Sequence, residues 1–341
     1  GTDKLASNEL PLGASPLPLR ALAEASNDIS RYPDNDCTQL VNALSARLDV
    51  PPAWVVVGAG SEAVISTTVS ALLTPGRKTL FSQYSFQAYV NAAQRLGAQA
   101  LVVPSPDFRV DLAGLRAGLA EEPALVYIAN PGNPTGTALD PAELEAFIEA
   151  VPAHVVVLLD EAYFEYLPEA QRGDSIAWVR RHPNLLVTRT FSKAYGLAGL
   201  RVGYGIAQPA LADMLRRVRA PFMVSEAAQL AATAALGDEA FLARSIDSNR
   251  VEHERLCAGF SALGLRHLRS ATNFVMVEVG DGPGWTRALE RHALIVRPLG
   301  AYGLPRWVRI TIGSENENRR LFEVMSGEHE LLAVGQAPSP A

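Results

Sequence analysis

The chemistry available to this chain centres on one lysine. Only three of its 30 basic residues are lysines, Lys4, Lys78 and Lys193. Lys4 lies near the start and Lys78 follows a Pro-Gly-Arg turn. Lys193 alone ends an apolar, strand-like run and opens a turn of small residues, Ala194 to Leu200, that closes on Arg201. Arginine keeps its proton in a protein, whereas a partly buried lysine can become a neutral amine and attack a carbonyl.

Three other elements accompany it. Val57-Gly58-Ala59-Gly60-Ser61-Glu62-Ala63 reads as a strand, a glycine turn and a helix start. Free amides at such a helix start bind phosphate, which makes Gly60, Ser61 and Glu62 candidates. Asn130-Pro131-Gly132-Asn133-Pro134-Thr135-Gly136 is a tight turn after a buried strand. Leu158-Leu159-Asp160-Glu161-Ala162-Tyr163 places an acid at a strand end and a tyrosine three residues on. Each has a simpler reading: Asn and Pro favour turns without any ligand, and structural ion pairs also use strand-end acids. The glycine turn also fits a nicotinamide dehydrogenase. That fingerprint requires an acid about 20 residues further on, and no Asp or Glu occurs between Glu62 and Asp107. Taken together the elements fit pyridoxal phosphate. This cofactor needs a lysine for its aldehyde, an acid for its pyridine nitrogen, donors for its ring oxygen, and cationic and backbone donors for its phosphate.

These groups must be positioned by an open α/β fold. Residues 54–58, 79–82, 100–103, 125–129, 155–160 and 185–190 are short and β-branched, are bounded by turn residues and lack period-2 alternation. They predict a parallel sheet covered on both faces. Helical patterns fall between them, over 62–73, 86–96 and from Asp140-Pro141, where an N-cap, an N1 proline and Glu143 coincide. After the sheet, a long helix over 239–263 precedes strands near 273–279, 295–297 and 307–313 and a helix near 285–292. The expected organisation is a large, mostly parallel domain over 32–222 and a small α+β domain from 1–31 with 223–331. A disordered tail is expected over 332–341.

Composition narrows the function classes. The chain has 341 residues, 48% apolar and 19% charged, with net charge −6. That describes a well-cored protein and not a disordered one. No basic run exceeds Arg216-Arg217-x-Arg219, against the broad basic face of a nucleic-acid binder. No apolar run reaches the length of a membrane span and no secretory signal is visible, so a cytoplasmic location is expected. The two cysteines, Cys37 and Cys257, lack metal-site spacing, and no metal is expected.

At this point the chain resembles the fold-type I pyridoxal-phosphate aminotransferases, and most closely the histidinol-phosphate aminotransferase family. The resemblance spans nearly the whole chain. It is carried by Lys4-Leu5-Ala6-Ser7-Asn8-Glu9, Arg31-Tyr32-Pro33-Asp34, Asn133-Pro134-Thr135-Gly136, Asp160-Glu161-Ala162-Tyr163, Ser192-Lys193 with Gly199-Leu200-Arg201, Arg297-Pro298-Leu299, Tyr302-Gly303-Leu304-Pro305 and Val308-Arg309-Ile310-Thr311-Ile312-Gly313. It implies that Lys193 is the Schiff-base lysine and proton shuttle, and that Asp160 keeps the pyridine nitrogen protonated. Tyr163 and Asn133 would serve the ring oxygen. Arg201 would serve the phosphate, with Ser192, Thr190 and the amides of Ser61 and Glu62. Phe86 stands where the family stacks an aromatic ring, usually tyrosine. Tyr32 would reach the phosphate of a neighbouring subunit, which implies a homodimer with shared sites. Arg309 would hold the substrate α-carboxylate, a task suited to a guanidinium, and Arg297 the substrate's side chain or phosphate. Gly132 replaces the more usual Asn, and Ala63 stands where an acid often follows.

The implied reaction moves an amino group between an amino acid or amino phosphate and a 2-oxo acid such as 2-oxoglutarate, within histidine biosynthesis. Aromatic amino acids are alternative substrates. A threonine-phosphate-type decarboxylase is the alternative reaction on the same fold and cofactor. A transcription regulator with a catalytically silent domain of this type is disfavoured, because no DNA-binding extension is present.

Overall fold

The computed structural model describes residues 1–25 and 29–327. The tail expected over 332–341 lies outside the described residues. In chain order the strands are β1 (Asp3–Leu5), β2 (Val55–Gly58), β3 (Lys78–Ser82), β4 (Gln99–Val103), β5 (Leu125–Ala129), β6 (Val156–Asp160), β7 (Leu185–Thr190), β8 (Gly203–Ile206), β9 (Phe274–Glu278), β10 (Leu294–Leu299) and β11 (Leu304–Thr311). The helices are α1 (Pro16–Ala25), α2 (Thr38–Leu48), α3 (Ser61–Leu72), α4 (Gln87–Arg95), α5 (Leu112–Gly118), α6 (Pro141–Ala150), α7 (Ser175–Arg181), α8 (Pro209–Val218), α9 (Glu226–Leu236), α10 (Glu239–Ala262), α11 (Gly282–Arg291) and α12 (Glu315–Gly327).

Seven strands form the large sheet in the order β2-β8-β7-β6-β5-β3-β4. All neighbours are parallel except β8, which runs antiparallel to both β2 and β7. The sheet is buried on both faces, which explains why its strands read as continuous apolar runs. Val157 and Leu159 of β6 pack in one layer with α2, α6, α7 and α9, while Leu158 points into the other with α3, α4 and α8. Successive side chains alternate across the sheet. Asp160 therefore faces the α3 and α4 side and Glu161 the α7 side. The end of β6 thus serves two environments at once.

The small sheet has the order β1-β10-β11-β9. Its helix-facing residues, among them Val275, Val296, Val308 and Ile310, pack on Leu256, Phe260, Trp285, Leu289 and Leu321. The alternate residues of β10 and β11 include Arg297 and Arg309, which are register partners.

Several elements have no counterpart in the sequence reading, among them β1, β8, α2, α8 and α9. Of the segment before Arg31, β1 joins the small sheet and α1 packs on α9, a helix within the 223–331 unit whose Ala228, Ala232 and Leu236 also belong to the large-sheet core.

Candidate active site

A cleft of about 280 Å³ opens where the large sheet's parallel strands end, against the small sheet. Open α/β sheets bind ligands outside their strands' carboxyl ends. Its lining includes Ser61, Glu62, Phe86, Asn133, Asp160, Tyr163, Thr190, Ser192, Lys193, Arg201, Arg297 and Arg309. Twelve positions scattered through the sequence are thereby brought to one place.

Lys193 sits three residues beyond β7, in a turn that Gly196 closes with a positive φ of 69° and a bond from its amide to the Lys193 carbonyl (2.9 Å). Lys193 Nζ donates to the carbonyls of Ser7 (3.3 Å) and Asn8 (3.2 Å). Burial, and then the nearby Arg309 guanidinium, lower its pKa to about 8. The amine is therefore far closer to its neutral form at pH 7 than a free lysine.

Asp160 ends β6 and is 5% exposed. Tyr127 OH donates to its Oδ2 (2.9 Å) and Thr188 Oγ1 to its Oδ1 (3.1 Å). Burial raises its pKa to about 6, opposed by those two hydroxyls and the Ala162 amide. It therefore remains a carboxylate at neutral pH, able to face a cationic nitrogen.

Tyr163 OH receives hydrogen bonds from Asn8 Nδ2 (2.8 Å) and Asn133 Nδ2 (3.4 Å), and burial pushes the phenol up to about 12. Asn133 Oδ1 in turn accepts from Arg309 Nη1 (2.6 Å). Arg309 Nη2 donates to the Ala6 carbonyl (2.8 Å), and its Nε is buried without a partner. Burial lowers its pKa. A buried guanidinium with an unsatisfied donor at a cleft wall suits an incoming anion. Arg297, exposed on β10, shares the Ala6 carbonyl (Nε, 3.4 Å).

At the other end, α3 is preceded by Gly60, which has a positive φ of 81° and supplies no side-chain cap. Its first amides, Ser61 and Glu62, have no acceptor within the helix. Arg201 lies over them: a Cβ at Gly60 would come within 2.8 Å of Arg201 Nη2. Gly60 itself lies beneath this guanidinium and not in the cleft lining. Arg201 Nη1 donates to Ser192 Oγ (3.3 Å), and the Ser192 amide donates to Thr190 Oγ1 (3.1 Å). A helix N-terminus, a guanidinium and hydroxyls converge here as an anion site. Phe86 caps the start of α4 and forms the cleft's aromatic wall.

The donor set fits pyridoxal 5′-phosphate: an anion site at one end, a buried amine, a buried carboxylate that forms no ion pair among the described residues, and an aromatic wall. Tyr32 is not brought to this cleft. It is 82% exposed and stacks on Phe222, with ring centroids 4.7 Å apart. The sequence does not single out Ser7, Asn8, Tyr127 or Thr188, which the structure places at the cleft or on Asp160. Asn8 had a signal in its motif, but Tyr127 and Thr188 sit inside strands and look like core.

Comparison with known proteins identifies the family. The family described as aminotransferase class I and II matches residues 4–325. Histidinol-phosphate aminotransferase 1 of Cupriavidus pinatubonensis is 52% identical over 93% of this chain and 86% of its own length. Histidinol-phosphate aminotransferase 2 of Ralstonia nicotianae is 50% identical over 99% of this chain and 90% of its own. Among solved structures, the histidinol-phosphate aminotransferase of Sinorhizobium meliloti in complex with pyridoxal-5′-phosphate superposes with a TM-score of 0.89 at 30% identity, covering 97% of this chain and 91% of that one. The chain belongs to the class I and II aminotransferase family.

Proposed function

We propose that this chain is a pyridoxal 5′-phosphate-dependent aminotransferase that exchanges an amino group between histidinol phosphate and a 2-oxo acid such as 2-oxoglutarate. The observation that carries the reading is the convergence of Lys193, Asp160, Arg201 and Arg309 on one cleft. When bound, the cofactor supplies a carbonyl carbon that accepts the amino group and a pyridine ring that draws electrons from the substrate Cα–H bond.

The chain's own residues do the rest. Arg201, Ser192, Thr190 and the amides of Ser61 and Glu62 hold the phosphate. Phe86 covers one ring face. Asn133 and Tyr163 reach the ring hydroxyl oxygen, and Asp160 holds a proton on the ring nitrogen. Lys193, with its lowered pKa, would take the proton from the substrate Cα and deliver it to the cofactor carbon that receives the nitrogen. Arg309 and Arg297 are register partners on adjacent strands. Two guanidiniums suit the two dianionic substrates, a phosphate monoester in one half-reaction and a dicarboxylate in the other.

The working unit in this reading is a cytoplasmic homodimer in which Tyr32 reaches the phosphate site of the neighbouring subunit. Its exposure supports that role. No nucleic-acid partner is invoked, in keeping with the net charge of −6. Among the described residues no helix is long and apolar enough to cross a membrane.

Single-turnover conversion of the loaded protein with histidinol phosphate, phenylalanine and glutamate tests the substrate. Histidinol phosphate and glutamate are expected to convert fastest. Faster conversion of phenylalanine would point to an aromatic substrate, and release of carbon dioxide from an amino acid would point to decarboxylation.

A further inference from the structure

We propose that Tyr127 is a positioning residue for this reaction, with Thr188 as its counterpart, and that the two keep Asp160 in the state that leaves the shared proton on the cofactor's ring nitrogen. The inference rests on the pyridoxal-phosphate reading above.

The placement follows from strand register. Asp160 is paired with Ala129 on β5 and with Thr188 on β7. Tyr127 precedes Ala129 by two residues, so Tyr127, Asp160 and Thr188 project from one face across three adjacent strands. Both carboxylate oxygens are taken, Oδ2 by the Tyr127 phenol and Oδ1 by the Thr188 hydroxyl. Among the described residues Asp160 forms no ion pair, so these neutral donors and the Ala162 amide are what offset its burial.

Tyr127 is built to stay in place. It is 1% exposed, and its ring stacks on Tyr89 with centroids 4.1 Å apart and planes 11° from parallel. The Tyr89 hydroxyl bonds to Thr79 Oγ1, and its amide donates to the Phe86 carbonyl (3.0 Å). The phenol proton is thus aimed at the carboxylate by a buried ring packed face to face on its neighbour. Other titratable groups acting on Asp160 include Glu161 beside it, Tyr163 two residues beyond that, and Lys193 beyond β7. None of these donates to its oxygens.

The consequence is electronic. A carboxylate and a pyridine nitrogen facing each other share one proton. Each donor on the carboxylate lowers its basicity and leaves the proton on the ring. Removing the phenol makes Asp160 the stronger base and weakens the ring's pull on electrons.

The test is nitrogen-15 NMR of the ring nitrogen in holoenzyme loaded with ring-labelled cofactor. Wild type, Tyr127→Phe and Thr188→Val are compared, with Asp160→Asn as the reference for a lost proton. Tyr127→Phe is expected to move the signal part of the way from the wild-type position to that of Asp160→Asn. kcat should fall about tenfold with KM unchanged, the size of one hydrogen bond to a charged group. Thr188→Val, nearly isosteric, should move the signal the same way and guards against a folding defect in the first variant. If both signals coincide with wild type while that of Asp160→Asn moves, the inference is wrong and the cofactor reading stands. If wild type takes up no cofactor, or Asp160→Asn leaves the signal in place, both are wrong.

Discussion

At the scale of single residues, the site is held together at a cost. Lys193 has a folded-state pKa of about 8, against 10.5 for the free side chain. Between those values the unfolded chain carries a proton that the folded chain lacks. Stability of the cofactor-free protein should therefore rise with pH through that window, and the penalty is fully present at pH 7. Asp160 has the opposite sign of shift, from 3.8 up to about 6. Between those values the folded chain holds the extra proton, so stability falls as pH rises through them, and this penalty too is complete at pH 7. Each shift is worth up to about 3 kcal/mol at one pKa unit per 1.36 kcal/mol. Urea unfolding of the cofactor-free protein at pH 7 should find Lys193→Met and Asp160→Asn more stable than wild type by up to that amount, and both inactive. For Lys193→Met the gain should shrink on going to pH 9.5. A variant less stable than wild type at pH 7 would show that burial of these groups has been misjudged.

At the scale of elements, the parallel strands were legible because each is buried on both faces and reads as an unbroken apolar run. β8 was not legible. Its Gly203-Tyr204-Gly205-Ile206 has too few β-branched residues to register as a strand. The structure supplies the reason for Gly203: a Cβ there would collide with Ser61 N and Gly60 C at the start of α3. The glycine lets the N-terminal end of α3 rest directly on the sheet. Gly203→Ala should displace that end, cost about 1–3 kcal/mol of stability and weaken cofactor affinity measured by fluorescence quenching. Unchanged affinity would mean the helix start does not hold the phosphate. The far face of the β6 and β7 ends carries a second hidden feature. Arg189 Nε donates to Glu161 Oε2 (2.9 Å), and Ser175 Oγ donates to the same oxygen (2.9 Å). The pair is 8% and 4% exposed. Arg189→Met leaves a buried carboxylate unpaired and should cost about 3–5 kcal/mol in chemical denaturation. Adding Glu161→Gln should recover part of that loss. The packing of α9 into the large-sheet core also leads us to propose a division of the large unit that runs past 222 to about Leu236. The sequence places its boundary earlier because an alanine-rich helix gives no sign of which core it joins.

At the scale of the whole molecule, the positions that chemistry singled out proved easier to read than those that support them. Lys193, Asp160, Arg201 and Arg309 carry ionisable groups at strand ends or turns, where such groups need a reason. Asn8 reaches Tyr163 across 155 residues of chain, and Tyr127 reaches Asp160 across 33. No local pattern encodes such contacts. Tyr32 belongs to the largest scale. It is exposed and stacked on the half-exposed Phe222, and in the proposed function it serves a site in a second copy of the chain. Sedimentation of the loaded protein should give twice the mass of one chain at micromolar concentration. Tyr32→Phe should weaken cofactor affinity while leaving that mass unchanged. A monomer with full activity would remove Tyr32 from the site.

The whole reading depends on which amine meets the cofactor, and three lysines make that a question with few answers. Borohydride reduction of the loaded protein, followed by peptide mass spectrometry, fixes the cofactor to the lysine that holds it. The expected result is a single pyridoxyl group on the peptide carrying Lys193, absent from Lys193→Ala. A label on Lys4 or Lys78, or none at all, would contradict the assignment of this cleft as the catalytic centre.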